Sequence, residues 1–80
     1  MEKLNGGSGI VAGSRQVLRA IKAGTLSTVY LANDADTYIF QQILRAAEQA
    51  KLPVVRVQTM KELGKACNVD VATATAGILR

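Results

Sequence analysis

The chain predicts an α/β fold, a sheet covered by helices on both faces. Three observations carry that reading. Short β-branched and apolar runs alternate with segments of helical period. Turn and cap residues sit at nearly every junction between them. The length, 80 residues, is that of one domain, residues 1–80. Strands separated by helices also predict a largely parallel sheet.

Each element has its own signal. Gly6-Gly7-Ser8-Gly9 reads as a flexible glycine-rich segment. Ile10-Val11-Ala12 is a short strand. Gly13-Ser14 supplies a turn and a helix N-cap, and Arg15 to Ala23 is helical, with Val17, Leu18 and Ile21 on one face. Gly24 is the expected stop. Thr28 to Ala32 is a buried strand. Asn33-Asp34-Ala35-Asp36 turns the chain, and Asp36 caps a helix running to about Lys51. Ile39, Phe40, Ile43, Leu44 and Ala47 line its inner face. After Pro53 comes a third strand, Val54 to Val57. Thr59-Met60-Lys61-Glu62 has the form of a capping box. The helix it opens ends near Cys67-Asn68, where Asn can take a left-handed cap. Val69-Asp70-Val71 is a loop, and Thr73 to Leu79 is the last strand, small and apolar enough to be central. Val29, Leu31, Ile43, Leu44, Val55 and Val57 are expected in the core.

Composition narrows the chemistry. Apolar residues make up 49%, twelve of them Ala, with only three aromatics, so the core must be fine-grained and regular. There is no His, which excludes triad catalysis and His-ligated metal, and one Cys cannot form an internal disulfide or a thiolate zinc site. No acid–base pair or nucleophile is visible, so an enzyme is not expected, and neither is a cofactor. Asp34 and Asp36 could hold magnesium, but a turn and a cap explain both. Gly7-Ser8-Gly9-Ile10-Val11-Ala12 loosely matches a dinucleotide pattern, yet it precedes its strand, where that pattern does not work. Cys67 is most simply a small core residue. No signal peptide and no membrane span is visible. The expectation is a soluble, cytoplasmic chain that is monomeric when free.

The formal charge is +4, with a net +3 in residues 1–22 and again in 51–65, around a middle block of −2. If the fold brings the basic blocks together, with Arg15, Arg19 and Lys65 near one edge, the natural partner is an anion. Arg15 stands in the first turn of a helix, where a cation opposes the macrodipole. Arg15, Arg19 and Lys22 form one stripe opposite Val17, Leu18 and Ile21, with Gln16 beside it. Free N–H groups at the helix start, guanidinium forks and an amide suit phosphates and base edges. A solvated helix face is the other reading of the same spacing.

Gly13-Ser14-Arg15-Gln16-Val17-Leu18-Arg19-Ala20-Ile21 resembles the signature helix of the kink-turn-binding ribosomal proteins, the L-seven-Ae and L-thirty-e group. Ala32-Asn33-Asp34-Ala35-Asp36 is similar to that family's segment after its second strand. Lys61 to Cys67, followed by Val69-Asp70-Val71, is similar to its third helix and the loop beyond. The resemblance runs from about Ile10 to the end and is strongest to the small bacterial members. It implies a three-layer α/β/α sandwich with a mixed four-stranded sheet. It implies a non-catalytic RNA-binding module that recognises kink-turn RNA, ribosomal RNA among the possible targets, through the start of the 14–23 helix and the 69–71 loop. Archaeal members carry Asn and Glu on the guanines of tandem sheared G·A pairs. Arg15 and Gln16 occupy those positions here, close to the Lys-Gln of bacterial members, and Arg19 stands for the family's Lys one turn later. The resemblance thus points to Gly13, Ser14, Arg15, Gln16, Arg19, Val69, Asp70 and Val71. Lys22 and Lys65 join them through charge placement. The family's longer helix before the first strand is replaced here by residues 6–9, which could expose an apolar patch. The competing reading is a protein-interaction or self-associating module of the same fold.

Overall fold

A computed structural model describes residues 9–67 and 72–80. The elements are β1 (Ile10–Ala12), α1 (Ser14–Ala23), β2 (Leu26–Ala32), α2 (Thr37–Gln49), β3 (Val54–Val57), α3 (Met60–Ala66) and β4 (Thr75–Leu79). The glycine-rich reading at residues 6–8, Asn68, and Val69, Asp70 and Val71 lie outside the described residues.

The four strands stand in the order β1-β4-β2-β3, so the last strand is central, as its composition predicts. Side chains alternate across the pleat and divide the core in two. Leu26, Val29 and Leu31 of β2 join Val17 and Ile21 of α1 and Ile43 and Ala47 of α2 on one face. Ala32 packs with Val57, Ala76, the α3 residues Leu63 and Ala66, and Cys67 just beyond α3 on the other. The result is a three-layer sandwich, α1 and α2 on one side of the sheet and α3 on the other.

The sheet is mixed, not largely parallel. Among the described residues only β2 and β3 pair in parallel, whereas β4 runs antiparallel to both β1 and β2. The cause is the length of α3. It has only seven residues, and Thr73 N–H donates to Met60 C=O at 3.0 Å, so the chain has doubled back to the beginning of the helix. It re-enters the sheet at the end where β2 and β3 finish and must run the opposite way.

Val55 is 41% exposed, against the expectation of a core position. It lies on the edge strand, and α3 is too short to cover it. Leu44 is half-buried at the margin of the α1–α2 layer. β2 begins at Leu26, with an irregular pairing between Leu26 and Thr28. β4 begins at Thr75, two residues after the expected start. Gly24 ends α1 in the left-handed conformation, as its position predicts (φ 73°). Cys67 is buried in the α3 layer, where burial pushes its thiol pKa up, so it packs and is not poised to react.

Candidate nucleic-acid interface

β1, β2 and β3 each lead directly into a helix, so one end of the sheet carries all three helix starts. Each start leaves backbone N–H groups in need of acceptors. Two of them are closed by side chains. Asp36 caps α2, its Oδ1 accepting from Tyr38 N–H at 2.9 Å and Ile39 N–H at 3.4 Å. Thr59 Oγ1 accepts from Glu62 N–H in α3 at 3.1 Å. Asp34 Oδ1 adds a bond from Met60 N–H at 2.7 Å. Both aspartates are therefore engaged in helix ends. Among the described residues no group of three His, Cys, Asp or Glu could hold a metal ion.

The start of α1 is built differently. Its N-cap is Gly13, not Ser14, and no side chain caps it. Gly13 has φ 96° and ψ 145°, a backbone conformation largely closed to residues with a Cβ. Its N–H donates to Thr75 C=O at 3.0 Å and its C=O accepts from Val17 N–H at 2.9 Å, which begins the helical ladder. Ser14 is thus the first helical residue, and the expectation that Gly13-Ser14 places the cap on Ser14 is corrected by one position. A glycine was needed to turn the chain from the sheet edge into the helix, and the cap falls on it.

Arg15, Gln16, Arg19 and Lys22 are all exposed, while Val17 and Ile21 are buried and Leu18 is half-buried. The cationic stripe inferred from the spacing is therefore the solvent face of α1. No acidic residue stands in its first turn. The Gly13–Thr75 bond sets this start beside the first residue of β4, so residues 72–74, which lead into β4, arrive next to it. Ala74 C=O accepts from Ala32 N–H at 2.9 Å, which ties that arriving segment to the end of β2. Lys65 is exposed in the last turn of α3, in the layer across the sheet from α1.

One cation of this region was not singled out by the sequence. Arg56 Nε donates to Asn33 Oδ1 at 2.6 Å, and its guanidinium carbon lies 4.5 Å from the centre of the Phe40 ring. Its partners lie 23 and 16 positions away, so no local pattern could have announced it.

Among the described residues, this α/β/α sandwich has one helix start without a side-chain cap, and Arg15 and Gln16 stand exposed beside it, a chemistry suited to an anion. Comparison with known proteins makes the class specific. The family described as "Ribosomal protein L7Ae/L30e/S12e/Gadd45 family" matches residues 1–80. The chain belongs to this family. It is 43% identical over 79 residues to "RNA-binding protein YbxF" of Geobacillus stearothermophilus, spanning 99% of this chain and 96% of that one. It is 42% identical over 79 residues, with the same coverage, to an "RNA-binding protein" of Geobacillus thermodenitrificans. Among solved structures, the "Giardia lamblia 15.5kD RNA binding protein" superposes with a TM-score of 0.84 at 33% identity. That match covers 90% of this chain and 61% of the longer Giardia chain.

Proposed function

We propose that this chain is a non-catalytic RNA-binding protein that recognises kink-turn RNA, acting in the cytoplasm within ribonucleoprotein particles such as the ribosome. The observation that carries the reading is the start of α1. It is the one helix start at its sheet end left without a side-chain cap among the described residues, and it presents Arg15 and Gln16 to solvent. The relatives named as RNA-binding proteins supply the class of partner.

The proposed mechanism assigns a role to each of these residues. The N-terminal turn of α1, from Gly13 and Ser14 onward, enters the widened major groove of a bent RNA. Its unfilled N–H groups donate to phosphate oxygens or base acceptors, and its dipole favours their negative charge. Gln16, uncharged and exposed, reads a base edge through its amide. Arg15 and Arg19 bridge phosphates or guanine edges, and Lys22 and Lys65 add positive potential. Val69 and Val71 cover an unstacked base, with Asp70 between them. Phosphate contacts supply much of the affinity.

Binding of a kink-turn, of the same RNA with its G·A pairs replaced, and of a plain duplex tests this. Gln16→Ala is expected to weaken kink-turn binding by about 1–3 kcal/mol and to leave duplex binding unchanged. Arg15→Ala is expected to weaken both. With roughly three or four phosphate contacts, log K should fall against log salt with a slope of about −2 to −4. Equal affinity for all three RNAs in the unsubstituted protein would refute kink-turn recognition.

A further inference from the structure

α1 and α2 start at the same end of the sheet and run side by side over one face, and between them lies an open groove of about 320 Å³. Leu18 forms part of its floor. Lys22 from α1 and Arg45 from α2 stand on its two walls, with Tyr38 near one end and Gln42 and Gln49 along α2. Among the described residues no acidic side chain lines it. Tyr38 is 71% exposed, an unusual position for a large aromatic in a chain with only three.

We propose that this groove takes a single-stranded segment of RNA, as an extension of the RNA contact at the start of α1. The inference rests on the RNA reading of α1 and adds a second contact to it. Three observations favour a nucleic-acid strand as the occupant. The walls carry positive charge only, from both helices, which complements a phosphate backbone. A flat ring is presented to solvent, and aromatic rings in a basic groove are how single strands are held without base readout. The groove is also continuous with the cationic stripe, because Lys22 belongs to both. From Tyr38 to Gln49 the wall is eleven helical steps long, roughly 16 Å, enough for a short extended strand. Tyr38 lies in the first turn of α2, at the sheet end where α1 begins, so a strand leaving the α1 contact meets the ring first.

The test compares a blunt-ended kink-turn RNA with the same RNA carrying a single-stranded uridine extension, using the full chain. The extension is expected to raise affinity roughly fivefold or more, the low end of what one stacked base contributes. Tyr38→Ala and Arg45→Ala should each remove most of that gain and leave affinity for the blunt RNA unchanged. Tyr38→Phe should keep it, since stacking needs the ring and not the hydroxyl. Both side chains are exposed, so the variants are expected to fold, as circular dichroism would verify. No gain from the extension, or a gain that survives both alanine variants, overturns the proposal. So does a Tyr38→Ala effect confined to the sedimentation mass of the free protein, which would make the groove a protein contact. If the blunt kink-turn does not bind but oligouridine binds in a manner dependent on Tyr38 and Arg45, the kink-turn reading fails and the groove stands.

Discussion

Gly13 is where the backbone geometry of the site can be tested in isolation. An alanine Cβ at this position meets nothing within 4 Å, so Gly13→Ala introduces no clash. The cost is conformational. At φ 96° and ψ 145° the residue lies near a region that is essentially glycine-only, with a strain of about 1–3 kcal/mol for others. Reduced freedom of the unfolded chain returns about 0.4–1 kcal/mol. The net expectation is a loss of about 1–2 kcal/mol, or a fall in Tm of roughly 4–16 °C for a domain of this length. Gly24 is the internal control. A Cβ there also has open space around it, but at φ 73° and ψ 25° the residue is left-handed, a conformation that Asn tolerates. Gly24→Asn should therefore be milder than Gly24→Ala, whereas Gly13→Asn should be no milder than Gly13→Ala. Urea melts of the four variants measure this. RNA affinity, measured where all are folded, should fall further for Gly13→Ala than for Gly24→Ala, because relieving the strain re-aims the first turn of α1. The same stability for Gly13→Ala and the parent, or rescue by Asn at position 13, would refute the reasoning.

Two further outcomes follow from packing and burial. A Cβ on Gly77 would lie 2.6 and 2.9 Å from the two Leu26 methyl carbons, and Leu26 is fully buried, so Gly77→Ala should cost about 1–3 kcal/mol in a chemical melt, partly recovered by adding Leu26→Val. Burial raises the Cys67 pKa, which favours the folded state while the thiol is protonated. Stability is therefore whole below the unfolded thiol pKa of about 8.5 and should decline as pH rises beyond it, and Cys67→Ala should flatten that decline in melts taken across the alkaline range.

The parts of this fold that were legible are those decided within a few residues. The apolar face of α1, the Asp36 and Thr59 caps, and the Gly24 stop each depend on neighbours one turn away, and each stands where its spacing puts it. Strand direction was not legible from alternation alone. It hinges on the Thr73–Met60 bond, which returns the chain to the start of α3 and so to the wrong end of the sheet for a parallel strand. Val55 reads as core by composition and is exposed because of what α3 does not reach, a property of another element. The site divides in the same way. The Arg15, Gln16, Arg19 and Lys22 stripe is local periodicity and could be read. The Asp34 bond to Met60, the Arg56 clamp on Asn33 and Phe40, and the groove between α1 and α2 join residues far apart in sequence. Only the fold brings them together.

The three helix starts at one sheet end also set the electrostatic surroundings of Arg15, the α1 cation that stands where the dipole disfavours it. Parallel entry of β1, β2 and β3 into their helices concentrates three positive dipole ends along one edge. Asp36 and Asp34 place negative charge at two of them, and Thr59 supplies a neutral acceptor. The third, α1, has no acidic residue in its first turn and carries Arg15 instead. Left alone, that end is electrostatically the least favourable of the three. An Asp at position 13 would relieve it, but the positive φ there demands glycine, and the glycine is what lets the chain turn from β1 into α1. Backbone geometry and charge thus combine to leave one start without an internal acceptor. A polyanion brought to that start satisfies the N–H groups, the dipole and the arginines together. On the proposed RNA reading of this start, the missing cap is what leaves it open to a polyanion, and the stability it costs the free protein would be returned when RNA is bound.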